Sequence, residues 1–112
     1  MALFKVKSTP TTSEEDLILC KIRQRRLQVL VHSYIYYDLG DTLVSDSKWQ
    51  QWANELVTLQ KKYPEESNKA PYAEEFKDFD ATTGFHLPYR RKSIVNKAEQ
   101  LVEYHRRRSK NE

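Results

Sequence analysis

The side chains of this sequence that can carry chemistry are three histidines, one cysteine, a pair of aspartates and several runs of bases. His32, His86 and His105 are widely spaced, and no Ser or Cys stands in an elbow beside a base. Neither acid–base nor nucleophilic catalysis therefore has a recognisable constellation. Cys20 is the single cysteine, which excludes an internal disulfide and a cysteine-built zinc site. Its neighbours Leu17, Ile18, Leu19 and Ile22 predict a buried small hydrophobe rather than a reactive thiol. Asp78 and Asp80 stand two apart, a spacing as common in acidic loops as in cation sites, so no metal is expected there. Asp80-Ala81-Thr82-Thr83-Gly84 sets hydroxyls beside a glycine but lacks the lysine and length of a phosphate loop. The expectation is a protein that is not an enzyme.

The bases offer a second chemistry. Lys21, Arg23, Arg25 and Arg26, then Arg90, Arg91 and Lys92, then Arg106, Arg107 and Arg108, are the candidates for nucleic-acid contact, with Tyr89 and Tyr104 to stack on bases. Solvated helix faces carry such runs as well. The formal charge of +3 hides an asymmetry: residues 1–26 sum to +3, residues 64–80 to -4 and residues 90–112 to +5. The basic end either attracts phosphate or is neutralised by the acidic middle in the fold, and the sequence allows both.

The elements that must position these residues are helices. At 112 residues one core is expected, and with 38% hydrophobic residues and a mean hydropathy of -0.83 it must be thin, so that a partner or a second copy (a homodimer) could complete it. No apolar run is long enough for a membrane span or a secretory signal, so a cytoplasmic location is expected, without membrane contact. Residues 1–12 read as a mobile arm or an edge strand over Leu3–Lys7. Thr12 with Glu15 has the spacing of a capping box, and Leu19, Ile22, Leu27, Leu30, Val31, Tyr34 and Ile35 mark one face of a helix over about 13–38 that Gly40 stops. Asp46 is read as the N-cap of a second helix to about 63, whose stripe is Trp49, Trp52, Leu56, Leu59 and Tyr63 and whose end is Pro64. The short link predicts an antiparallel hairpin. An irregular acidic and loop segment follows, with Tyr72, Phe76 and Phe79 as a short helical face and Phe85 and Leu87 as core anchors. A last helix over about 93–108 presents Ile94 or Val95, Ala98, Leu101, Val102 and His105. The fold expected is all-α.

Written out as His32-Ser33-Tyr34-Ile35-Tyr36-Tyr37, Asp38-Leu39-Gly40-Asp41, Val44-Ser45-Asp46 and Trp49-Gln50-Gln51-Trp52, with Leu56, Leu59 and Tyr63-Pro64-Glu65, the hairpin resembles a known domain. It is similar, without a gap over residues 22–66, to the N-terminal NMN-binding (Ia) domain of bacterial NAD-dependent DNA ligases, with residues 67–112 as a C-terminal extension. That resemblance implies a grip on the nicotinamide mononucleotide half of NAD through a Tyr-His pair, an Asp and a Tyr-Asp pair. Position by position, Tyr36 and Asp46 match, Tyr37 replaces the His, and Trp49 and Gln50 replace the second pair. The replacements remove a ring nitrogen and a carboxylate, while Trp49 keeps an aromatic face for a cationic ring. Tyr36 and Trp49 also stand where two packed helices need large side chains.

The ligase family takes up AMP on a lysine in a Lys-x-Asp-Gly setting. The only lysine followed at once by an acid here is Lys77-Asp78, continued by Phe79 and Asp80. The family's oligonucleotide-binding barrel and four-cysteine zinc finger do not fit in this chain. The resemblance thus implies a stand-alone, non-catalytic relative, phage or prophage encoded and acting in the host cytoplasm on replication or nucleic-acid machinery through protein contacts, as an accessory protein or inhibitor. Nucleic-acid binding through the basic runs and residual NMN or NAD binding are the alternatives.

Overall fold

A computed structural model describes residues 13–110, and the expected arm and strand within residues 1–12 lie outside the described residues. Five helices follow one another: α1 (Glu14–Tyr37), α2 (Asp46–Lys62), α3 (Pro64–Lys69), α4 (Ala73–Phe76) and α5 (Lys92–Lys110). There is no strand among the described residues. The fold is the expected all-helical one, and the two long helices and the C-terminal helix fall within two residues of the ranges read from the sequence. No described helix is long and apolar enough to cross a membrane.

The helix starts are capped one residue away from where the sequence pattern put them. Ser13, not Thr12, begins α1, its hydroxyl accepting the Asp16 amide at 3.1 Å, and Glu14, Glu15 and Asp16 oppose the positive helix end. Ser45, not Asp46, caps α2 by accepting the Lys48 amide at 3.1 Å. This leaves Asp46 as the first helical residue. Gly40, at φ +64°, turns the chain after α1 in the left-handed conformation that a side chain resists. Pro64 both ends α2 and opens α3, because the first helical position needs no amide donor. The segment after it, expected to be irregular apart from a short helical face at Tyr72, Phe76 and Phe79, holds two short helices, α3 and α4, and is then irregular over residues 77–91 as expected.

α1 and α2 lie antiparallel, as pairings such as Arg25 with Glu55, Arg26 with Gln60 and His32 with Trp52 require. Ile22, Val29, Leu30 and Ile35 of α1 meet Ala53 and Leu56 of α2, and Ile94, Ala98 and Val102 of α5 pack on α1. Trp49, Trp52 and Leu59 lie partly buried against this core. Each fully buried large aliphatic or aromatic side chain contributes about 1.5–3 kcal/mol, so a few well-buried residues must hold the unit. Several expectations about burial fail at the margins: Cys20, Phe85 and His105 are exposed, the first on the outward side of α1, the second in the loop and the third after Val102, the last buried residue among those described in α5.

One buried charge ties the short helices down. Arg26 is 0% exposed, and all five of its N–H donors are used. Its Nε donates to Gln60 Oε1 (3.0 Å), Nη1 to the Ala70 and Pro71 carbonyls (3.2 and 3.0 Å), and Nη2 to the Ser67 carbonyl and hydroxyl (3.1 and 2.7 Å). The guanidinium also lies 5.7 Å from the Phe76 ring centroid. Burial lowers its pKa to about 10, opposed by the charge of Glu75, so it stays protonated at neutral pH. Read from sequence as a nucleic-acid contact, Arg26 is instead the clasp between the hairpin and the α3–α4 segment.

Candidate functional site

At the turn of the hairpin, the last turns of α1, the 41–45 link and the first turn of α2 enclose a cleft of about 260 Å³. Tyr36, Tyr37, Asp46, Trp49 and Gln50 all line it, so the structure brings together the five positions that the resemblance singled out. Two helices can do this only because the link is short enough to hold the last turn of α1 beside the first turn of α2. Sequence reasoning missed the other wall. Thr82 and Thr83 line the cleft as well, carried there by the chain after α4. The hydroxyl-rich segment ending at Gly84 was the available signal, and it reads as a loop rather than a wall until the tertiary fold is known.

The three positions that differ from the ligase pattern are those that meet this loop. Tyr37 Oη is 3.0 Å from Thr83 Oγ1, and its ring stacks on Tyr89 at 5.7 Å and meets Phe85 edge-on at 5.3 Å. Gln50 Nε2 donates to the Ala81 carbonyl at 2.9 Å and to Asn54 Oδ1 at 3.1 Å. A methyl group on Gly84 would lie 3.2 Å from Trp49 Cζ2 and 2.3 Å from Ser33 Oγ, so only glycine lets the loop lie this close. Ala81, which accepts the Gln50 bond, holds φ +71°, a left-handed conformation that costs a residue with a Cβ roughly 1–2 kcal/mol. The loop is thus held against α1 and α2 by specific contacts that offset local strain.

The two matching positions have no such attachment. Tyr36 is 54% exposed and meets Tyr37 edge-on at 5.0 Å. Among the described residues, nothing bonds the Asp46 carboxylate. Among the described residues, the cleft's charged lining is Asp41 and Asp46, with no lysine or arginine. His32 also lines it, but burial, reinforced by the charge of His105, pushes its imidazole pKa down, and its ring lies against Trp52 at 5.2 Å. Ser33 is 2% exposed, and its hydroxyl has no hydrogen-bond partner among the described residues.

Several of the predicted nucleic-acid residues are engaged within the fold. Arg26 is internal, Arg25 is bonded to Glu55 and Gln28, and Lys21 lies 3.9 Å from Glu55. Arg90 forks onto Asp38 at 2.7 and 2.9 Å, and Arg91 pairs with Glu75, a carboxylate of the acidic middle segment. Tyr89 is buried, so it cannot stack on a base. Arg107 bonds Glu103 and Arg108 bonds the Tyr104 hydroxyl, while Arg23, Lys92 and Arg106 are exposed. Among the described residues, neutralisation by the acidic middle claims Arg91, through Glu75, whereas Arg90 is paired with Asp38, the C-cap of α1, instead.

Hairpin, turn and loop together define an all-helical unit with an aromatic, acid-lined cleft at one end. Comparison with known proteins gives this class a relation: the chain is similar to a segment of bacterial DNA ligases. It is 40% identical over 45 residues to the DNA ligase of Pseudothermotoga lettingae, 42% over 40 residues to that of Petrotoga mobilis and 32% over 65 residues to that of Lawsonia intracellularis. These matches take in 40%, 36% and 57% of this chain but only 7%, 6% and 9% of the respective ligases, so the chain corresponds to a small part of each. No family profile and no solved structure matches it.

Proposed function

We propose that this chain is a non-catalytic binding module of DNA-ligase ancestry that acts through protein contacts, with the α1–α2 cleft and its aromatic rim as the contact face. One observation carries the reading: of the three positions that depart from the ligase pattern, Tyr37 and Gln50 bond the chain's own 81–84 loop, and Trp49 approaches Gly84 through its Cζ2 edge while still lining the cleft. A loop that occupies the ligand-facing groups of an inherited pocket changes what the pocket can hold. The remaining mouth is aromatic and exposed, the character of a protein-interaction surface. As a phage or prophage product it would meet the replication machinery of its host as an accessory protein or inhibitor.

Retention of a nicotinamide nucleotide is the second reading, favoured by the convergence of the five resemblance positions on one cleft. Electrostatics count against it, because a phosphate would face Asp41 and Asp46 with no lysine or arginine among the described residues of the lining. The two readings part in one experiment. Peptides selected from a random display library on the intact chain are expected to lose binding to Tyr36→Ser, an exposed position whose change leaves the core intact. Selection that never depends on Tyr36, together with a melting temperature raised by millimolar NMN in an Asp46-dependent way, would replace the first reading with the second.

A further inference from the structure

We infer that the α1–α2 cleft receives an arginine side chain presented by a protein partner, a step that rests on the binding-module reading above and names its partner's chemistry. The cleft offers acceptors and π-faces and, among the described residues, no lysine or arginine in its lining. Its lining holds the Asp41 and Asp46 carboxylates and the Tyr36 and Trp49 rings. A guanidinium has five N–H donors and no acceptor, is planar, and stacks on aromatic faces, so each of these groups answers one of its properties.

The surroundings do not cancel this character. Lys48 lies against the Trp52 ring, 5.7 Å from its centroid, and Arg90 is forked onto Asp38, so the neighbouring bases are turned to other partners. The N-terminus of α2 adds a partial charge of roughly +0.5, which two full carboxylate charges outweigh. Asp41 spends one oxygen on the Thr42 amide at 2.8 Å and keeps the other. A phosphate, by contrast, would have to displace or neutralise both carboxylates.

The size and rim of the cleft suit one side chain on a flexible segment. At about 260 Å³ it falls just short of the roughly 300–1,000 Å³ of ordinary small-molecule pockets. Beside it, Tyr36, Phe85 (56% exposed) and Leu39 leave apolar surface in the open. Apolar residues flanking the arginine would cover that surface, whereas a free cation would leave it bare.

The test uses the full chain, ¹⁵N-labelled, with the Trp49 indole N–H as the reporter and a Trp52→Phe variant only to assign it. Two probes differ by one atom and one charge: acetyl-Leu-Arg-Leu-amide and the same peptide with citrulline, the neutral isostere of arginine. The arginine peptide is expected to move the Trp49 signal saturably. Citrulline should weaken binding about five- to tenfold, and Asp46→Asn about two- to fivefold. Binding of the citrulline peptide within twofold of the arginine peptide, or no movement of Trp49 with millimolar arginine peptide, would overturn the assignment. Display-selected peptides that need Tyr36 but carry no base would overturn the arginine alone and keep the binding module. Peptides indifferent to Tyr36 would remove both.

Discussion

Replacing Arg26 by methionine keeps most of the side-chain length and removes every donor, and the structure sets the consequence. Three main-chain carbonyls, those of Ser67, Ala70 and Pro71, lose their partner together with the Ser67 hydroxyl and the Gln60 amide oxygen. A buried charge can often be exchanged for an apolar residue without loss when its partner is exchanged too, but main-chain carbonyls cannot be exchanged. Each acceptor stranded away from water costs about 1–3 kcal/mol, and partial access of water to some of them brings the total to roughly 3–5 kcal/mol. At about 2.1 cal/mol/K of unfolding entropy per residue, a chain of 112 residues loses roughly 4 °C per kcal/mol, so the melting temperature should fall by roughly 12–20 °C. Calorimetry of the parent and Arg26→Met reads this directly. Arg26→Lys should also fall, since one ammonium with three donors cannot reach five acceptors on three sides. A drop of less than about 3 °C in Arg26→Met would refute the clasp.

Four further outcomes follow from the cleft and its loop. Gly84→Ala should destabilise by about 1–3 kcal/mol and shift the Trp49 emission, because a Cβ there would lie 2.3 Å from Ser33 Oγ; unchanged melting and fluorescence would mean that the loop does not sit on Trp49. Ser33→Ala should raise stability by up to about 1 kcal/mol in denaturant titration, since it deletes a buried hydroxyl without a partner; a loss would mean that the hydroxyl is satisfied in solution. Ala81→Gly should stabilise by about 1 kcal/mol by relieving the left-handed conformation, and a loss of stability would show that its methyl packing matters more. The depressed pKa of His32 means that the unfolded chain binds its proton first, so stability is whole above the ordinary value of 6.5 and falls as pH drops below it. Melting at about pH 7.5 and about pH 5.5 should differ more for the parent than for His32→Gln; the lowered carboxylates Asp38, Glu55 and Glu75 act only further down, below about 4.5.

Much of this architecture was legible in the sequence because the hairpin is specified locally. The alternation of three and four among Trp49, Trp52, Leu56 and Leu59, the stop at Gly40 and the break at Pro64 are signals that need no knowledge of the rest of the chain. What escaped was set by tertiary contact. Arg26 stands among Arg23 and Arg25 and looks like a surface base; only the carbonyls returning from residues 67–71 make it internal. Tyr37 and Gln50 read as losses from a nucleotide pocket, whereas in the fold they are gains, since each bonds a loop that lies thirty or more residues away. The caps were misassigned by one position at Ser13 and Ser45 because both are followed or preceded by residues equally able to cap.

The most direct test of the cleft as the binding face is a photo-crosslinking scan with a display-selected peptide. Benzophenone side chains placed singly at Tyr36 and Phe85, on the rim, and at Arg23 and Glu99, both exposed and away from it, report which surface the peptide touches. Cross-links at 36 and 85 with silence at 23 and 99 are the predicted result. Efficient cross-linking at 23 or 99 with none at 36 would contradict the account.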